Sequence, residues 1–209
     1  MSNEFIRINT AFKPPVEVAE RVAKISGDIG RKAETYFVID DENYFPHITI
    51  YSPEYPTHNL EKVLKTAESI AKDFSAPNFI FQKIGTGQGF ITLDFDYSDE
   101  IKKIHEATVK KLNPLRENHV REKYTESYMM KFSEEKRKNI RKYGYPNSMA
   151  FYRPHMTLAR LKNEEFAEKI AQSIEWPVRE FKAEKLAAYE MGLHGTCVRL
   201  VKEFNFGKR

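Results

Sequence analysis

Four stretches of the chain repeat apolar residues at helical spacing. In 59–74, Leu60, Val63, Leu64, Ala67, Ile70, Ala71 and Phe74 fall on one face. Residues 98–115 place Ile101, Ile104, Thr108, Leu112 and Leu115 likewise, with Ser98 as N-cap and Asp99 and Glu100 in the first turn. Residues 163–174 carry Phe166, Ala167, Ile170, Ala171 and Ile174 behind a capping Asn163. Pro14 and Pro15 open a helix over roughly 15–26, ended by Gly27 or Gly30. Between these lie β-rich runs at 4–12, 35–40, 47–51, 78–84, 89–96, 155–161, 181–191 and 197–206, with glycine turns at 85–89 and 192–196. Strands interleaved with helices, and paired through hairpins, give an α+β protein rather than a doubly wound parallel sheet.

The order of elements repeats. PHITIY, a helix, a strand from 78, a glycine turn and a strand at 89–96 are followed later by PHMTLARL, a helix at 163–174, a strand from 181, a glycine turn and a strand at 197–206. This twofold pseudo-repeat predicts two similar halves around a shared cleft, in one bilobal domain spanning 1–209. A charged, tyrosine-rich stretch over about 116–150 has no counterpart. It reads as an insertion packed on one lobe, with a short helix from Ser133 to Tyr143 stopped by Gly144 and Pro146.

Composition narrows the function classes. The 209 residues are 41% apolar and 31% charged, enough to bury a core. A net charge of +4 suits an anionic substrate and falls short of a polybasic binder. The single cysteine, Cys197, excludes an internal disulfide framework and a Cys-rich zinc site. No apolar run approaches a membrane span and the first residues lack a signal-peptide core, so the expectation is a cytoplasmic monomer with no membrane partner. No phosphate-binding glycine loop, HExxH run or GxSxG elbow is present. The expectation is chemistry without a cofactor or a metal.

Of six histidines, His47 and His155 stand apart. Each follows a proline, leads a β-rich run and has threonine two residues on, as PHITI and PHMTL at equivalent points of the repeat. On a strand, residues i and i+2 share a face, so each run presents an imidazole beside a hydroxyl. Two such pairs facing one cleft supply a general base, a general acid and two hydroxyls for phosphate oxygens. His194, between glycines in GLHGT, reads as part of a turn. His105 shares its helix's apolar face and reads as core or boundary, while His58 and His119 read as solvated.

The pattern resembles the 2H phosphoesterase superfamily, which includes 2′-5′ RNA ligase-like proteins and RNA 2′,3′-cyclic phosphodiesterases. The match is His47-Ile48-Thr49-Ile50 and His155-Met156-Thr157-Leu158, with the closing AAYEMGL…CVRLVKEFNF hairpin. The resemblance implies two pseudo-symmetric lobes, each an antiparallel sheet flanked by helices, with the histidines at the centre of the cleft. It also implies opening of a 2′,3′-cyclic phosphate on RNA or a nucleotide to a 2′-phosphate. In that scheme His47 protonates the leaving 3′ oxygen, His155 activates water, and Thr49 and Thr157 hold the phosphate; the reverse order of the histidines stays open. Arg160 matches a basic residue of the second motif, although strict alternation puts it on the face opposite His155. Other substrates compatible with the same residues are a small cyclic sugar phosphate and a 2′-5′ or cyclic oligonucleotide. The rival reading is an RNA-binding module without useful turnover. Phe12, Tyr44, Phe45, Tyr51 and Tyr152 are candidates to stack on a base or to pack in the core, and KRKNIRK at 136–142 is a candidate phosphate path or a solvated helix face.

Overall fold

In the computed structural model, which describes residues 4–40 and 42–207, the β-rich runs pair into one nine-stranded antiparallel sheet. The strands are β1 (Phe5–Lys13), β2 (Ile48–Tyr51), β3 (Glu54–Pro56), β4 (Asn78–Gly87), β5 (Phe90–Phe95), β6 (His155–Arg160), β7 (Glu180–Lys182), β8 (Lys185–Met191) and β9 (Cys197–Phe204). Their order is β7-β4-β5-β6-β2-β1-β8-β9, with β3 beside β1. The two motif strands, β2 and β6, meet at the middle, paired through Ile48 and Met156. The halves exchange hairpins: β4–β5, which comes after the first motif in sequence, flanks the second, and β8–β9 flanks the first half through β1.

Six α-helices are present among the described residues. They are α1 (Val16–Lys32), α2 (Leu60–Asp73), α3 (Asp99–Leu112), α4 (Glu126–Met129), α5 (Glu134–Tyr143) and α6 (Phe166–Ala171). The apolar stripes of α1, α2 and α3 bury Val22, Ile29, Val63, Ile70, Ile101 and Ile104 against Ile48, Ile50, Met156 and Leu158 of the motif strands. Ser98 and Ser133 cap α3 and α5 by accepting from the amides of Ile101 and Lys136, and Gly144 ends α5 in the left-handed region. No helix among the described residues is long and apolar enough to cross a membrane.

Four local expectations change, the first being that the helix expected over 163–174 shortens to Phe166–Ala171, with Asn163 Oδ1 accepting from the Glu165 amide without capping it. Helix α1 runs through Gly27 and Gly30 to Lys32. Gly30 is there for close approach, since a Cβ would lie 3.0 Å from Val38 Cγ2. The stretch 35–40 alternates buried and exposed residues, yet it forms only an isolated bridge, Thr35 to Leu161. Its amides bond elsewhere, Tyr36 to the Arg160 carbonyl and Ile39 to Ser26 Oγ, so the alternation records one packed side without a ladder. The run at 181–191 divides into β7 and β8, which pair at opposite ends of the sheet.

The segment from 113 to 151 is held by a buried arginine. Arg116 Nε donates to Asn113 Oδ1 at 2.8 Å, and Nη2 donates to the carbonyls of Arg141 and Lys142 at 3.1 and 2.6 Å. A small apolar cluster of Tyr124, Met129 and Ile140 closes it, so α4 and α5 sit as one body at the edge of the sheet's open face.

Candidate active site

The open face of the sheet carries a cleft of about 820 Å³. His47, Thr49, His155, Thr157 and Arg160 all line it. The antiparallel register around Ile48 and Met156 sets His47 across from Thr157 and Thr49 across from His155. The two histidines are therefore diagonal neighbours, a spacing of about 7–8 Å between backbones, wide enough to take a phosphorus centre between the rings.

Each imidazole is oriented in the same way. His47 Nδ1 lies 2.8 Å from the Phe45 carbonyl and His155 Nδ1 lies 2.9 Å from the Arg153 carbonyl, in both cases two residues upstream. A carbonyl only accepts, so Nδ1 carries the proton and Nε2 is left toward the cleft. Their surroundings differ. His47 is buried, and burial above all pushes its imidazole down to about 4, with the His155 and Arg7 charges acting the same way. Its neutral form, with an Nε2 lone pair, is the one present near neutrality.

Both motif strands carry an extra residue directly after their threonine. In β2, Thr49 pairs with Ala11 and Tyr51 with Thr10, which leaves Ile50 unpaired. In β6, Thr157 pairs with Thr92 and Ala159 with Ile91, which leaves Leu158 unpaired. Such a bulge turns the rest of the strand over by one face. Leu158 and Ala159 are consequently both buried, and Arg160 returns to the cleft face beside Thr157. Its guanidinium lies over the rings of Tyr36 and Phe90 and donates to His194 Nδ1 at 3.2 Å. His194 thus reaches the cleft wall from its turn, stacked on Tyr36 at 4.2 Å, where burial and the Arg160 charge push its imidazole down.

The other histidines divide. His105 is fully buried, stacked on Tyr152 and bonded on both ring nitrogens. His58 is exposed against Glu117. His119 is not solvated: it stacks on Phe5 at 3.6 Å and bonds Glu54 at 3.0 Å, because the 116–124 segment folds back onto β1 and β3. Phe12, Tyr51 and Tyr152 lie in the core, and Tyr44 and Phe45 pack against core clusters. From the basic run, Lys136 reaches the cleft.

Some lining residues carry no motif. Asn9 Nδ2 donates to Thr49 Oγ1 at 2.9 Å and so fixes the hydroxyl. Arg7, two residues earlier on the same face of β1, also lines the cleft, as do Arg121, Lys123 and Lys131. Asp94, which accepts from Thr92 Oγ1 at 2.7 Å, is the one carboxylate among the described lining residues. The field in the cleft is positive and suits an anion. A polar Arg-x-Asn alternation among apolar neighbours, Phe5, Ile6 and Ile8, was the available signal for Arg7 and Asn9.

The sequence profile of a family described as "Protein of unknown function (DUF1045)" matches residues 54–197, more than two thirds of the chain. The chain belongs to that family. The match takes in the second motif and leaves the first, at 47–49, outside it. No curated protein matches this DUF1045 chain by sequence. Solved structures resemble it along its whole length. TT0787 of Thermus thermophilus aligns with a TM-score of 0.57 at 14% identity, over 98% of this chain and 100% of its own. E. coli LigT in complex with 3′-AMP aligns at 0.52 and 12%, over 98% and 100%. A crystal structure named only as a phosphoesterase aligns at 0.52 and 12%, over 97% and 99%. The DUF1045 chain has the fold of the 2H phosphoesterases.

Proposed function

We propose that this protein is a phosphodiesterase that opens 2′,3′-cyclic phosphate ends of RNA or nucleotides to the 2′-phosphate. The observation that carries the reading is the pair of imidazoles, each with Nδ1 tied to a carbonyl and Nε2 free, set diagonally across one strand pair with a threonine beside each. That E. coli LigT was crystallised with phosphate and with 3′-AMP supports a nucleotide phosphate as the occupant of a cleft in this fold.

The imidazole environments favour the reverse of the role order that the family resemblance implies. His47, held neutral by burial, takes a proton from water at Nε2. The hydroxide oxygen bonds to phosphorus and the bond from phosphorus to the 3′ oxygen breaks. His155 delivers its Nε2 proton to that oxygen. Thr49, Thr157 and Arg160 hold the nonbridging oxygens in line. After release, water returns the proton to His155, and His47 loses its own.

Phosphorus NMR of the protein with a panel of nucleoside 2′,3′-cyclic phosphates, in EDTA, tests this. The expected result is accumulation of the 2′-phosphate. A 3′-phosphate product, or no turnover of any cyclic phosphate between pH 5 and 8, contradicts it. RNA affinity without turnover, unchanged in His47→Ala and His155→Ala, would transfer the assignment to a binding module.

A further inference from the structure

The proposed reaction uses one phosphate, but the cleft has cations for two. Arg160 flanks the histidines on the β6 side. By the repeat, the position equivalent to Arg160 in the first half is Ser52, which is buried, and its carbonyl accepts from Arg7 Nε at 3.4 Å. A second guanidinium, from β1, thus stands on the opposite flank. Arg121 and Lys123 of the 116–124 segment join it there.

This second group is poorly neutralised. Among the described residues the carboxylate at this end is Glu54, which already takes Arg121 Nε at 2.7 Å and His119 at 3.0 Å. Arg121 Nη1 is buried with no hydrogen-bond partner, and Glu54, which lies cross-strand from Arg7, has one oxygen on Arg121 and the other on His119. Burial first, and then the Arg121 charge, lower the Arg7 guanidinium; burial first, then the charges of Arg121 and Arg7, lower the Lys123 ammonium. Crowding like charges in a partly enclosed wall is unfavourable unless an anion joins them. Arg7 is two residues along β1 from Asn9, which touches Thr49, so this flank begins about 7 Å of strand beyond the histidine centre. That is the reach of one further phosphate along a substrate, not of the same one.

We propose that Arg7, Arg121 and Lys123 form a second phosphate subsite, which holds a phosphate carried by the same substrate as the diester at the histidines. The assignment rests on the phosphodiesterase reading for the diester itself. The second phosphate has two sources, a terminal monoester on a small sugar or nucleotide, or the preceding chain phosphate of an RNA.

The test compares kcat/KM on adenosine 2′,3′-cyclic phosphate, its 5′-phosphorylated form, and the dinucleotide ApA ending in the same cyclic phosphate. Charge-assisted hydrogen bonds predict a gain of about tenfold to a hundredfold for at least one phosphorylated substrate. The gain, taken as a ratio to the unphosphorylated substrate, falls toward one in Arg7→Gln and in Lys123→Gln. Gain by the 5′-monophosphate alone identifies a small phosphorylated substrate, and gain by the dinucleotide identifies an RNA chain. No gain in either, or a ratio that survives both variants, overturns the subsite. Lys123→Gln, in a loop segment, keeps the test open if Arg7→Gln fails to fold. Calorimetric binding of pyrophosphate separates the two readings. If no substrate turns over but pyrophosphate binds and weakens in Lys123→Gln, the subsite stands and the phosphodiesterase reading fails. Equal binding by both proteins overturns the subsite.

Discussion

Replacing His105 with leucine removes a strut between the first motif strand and the segment that leads into the second. His105 Nδ1 donates to the Ile50 carbonyl at 3.0 Å, and Nε2 accepts from the Met149 amide at 2.8 Å. Ile50 is the unpaired residue of the first bulge, and Met149, at φ 55°, leads into the second motif. Leucine leaves a buried carbonyl and an amide without partners, each at about 1–3 kcal/mol, so the expected loss is about 2–6 kcal/mol. For a chain of this size that is a fall in Tm of about 4–24 °C. Protonation tells the same story. Both nitrogens are committed to the neutral ring, and burial pushes His105 down to about 4 from its ordinary 6.5. His47 is pushed to about 4 as well. Between these values the unfolded chain binds more protons than the folded one, so stability falls as pH drops from about 6.5 toward 4. Each histidine contributes a slope approaching 1.36 kcal/mol per pH unit, hence about 2.7 together. Urea unfolding from pH 7 to 5, followed by circular dichroism, measures it. His105→Leu lowers stability at pH 7 and about halves the slope. Unchanged stability, or an undiminished slope, refutes the neutral strut.

Further outcomes concern the cleft. The acid limb of kcat/KM against pH lies near 4, where His47 becomes neutral, instead of near 6.5; a limb near 6.5 assigns the base elsewhere. Arg160→Gln lowers kcat/KM by about tenfold to a hundredfold in steady-state assays with His47 and His155 intact, and an unaffected rate returns Arg160 to a packing role. Asn9→Leu frees the Thr49 hydroxyl and lowers kcat more than it raises KM; equal effects on both parameters argue against positioning. Gly89→Ala, at φ 78° with a Cβ 2.7 Å from the Leu161 carbonyl oxygen, costs about 1–3 kcal/mol in thermal unfolding, and a neutral change contradicts the tight β4–β5 turn.

Local periodicity made much of the architecture legible. Apolar alternation in PHITI and PHMTL, the helical stripes, and the caps at Ser98, Ser133 and Gly144 are short-range signals, and each corresponds to an element of the fold. What periodicity misses is set by distant pairing. Strict alternation in HMTLAR points Arg160 to the core side; only the pairing of β6 with β5 creates the bulge that returns it to the cleft. The exchange of hairpins between halves is likewise a property of long-range register. His119 looks solvated in its polar local sequence, yet stacks on Phe5 because a loop folds over β1. Arg7 and Asn9 sit in a strand whose other residues are dominated by packing, and their roles depend on distant partners, the Ser52 carbonyl for Arg7 and Thr49 of β2 for Asn9. The hollow by Lys32 and Phe166 has no counterpart in the motifs at all.

The most direct measurement is kcat/KM of the wild-type protein, His47→Ala and His155→Ala on the best cyclic phosphate found by phosphorus NMR. Circular dichroism would establish that each variant folds. General acid and general base each contribute about a hundredfold to ten-thousandfold, so either substitution alone is expected to lower the rate by that amount. A folded variant of either histidine that turns over the substrate at the wild-type rate contradicts the two-histidine account.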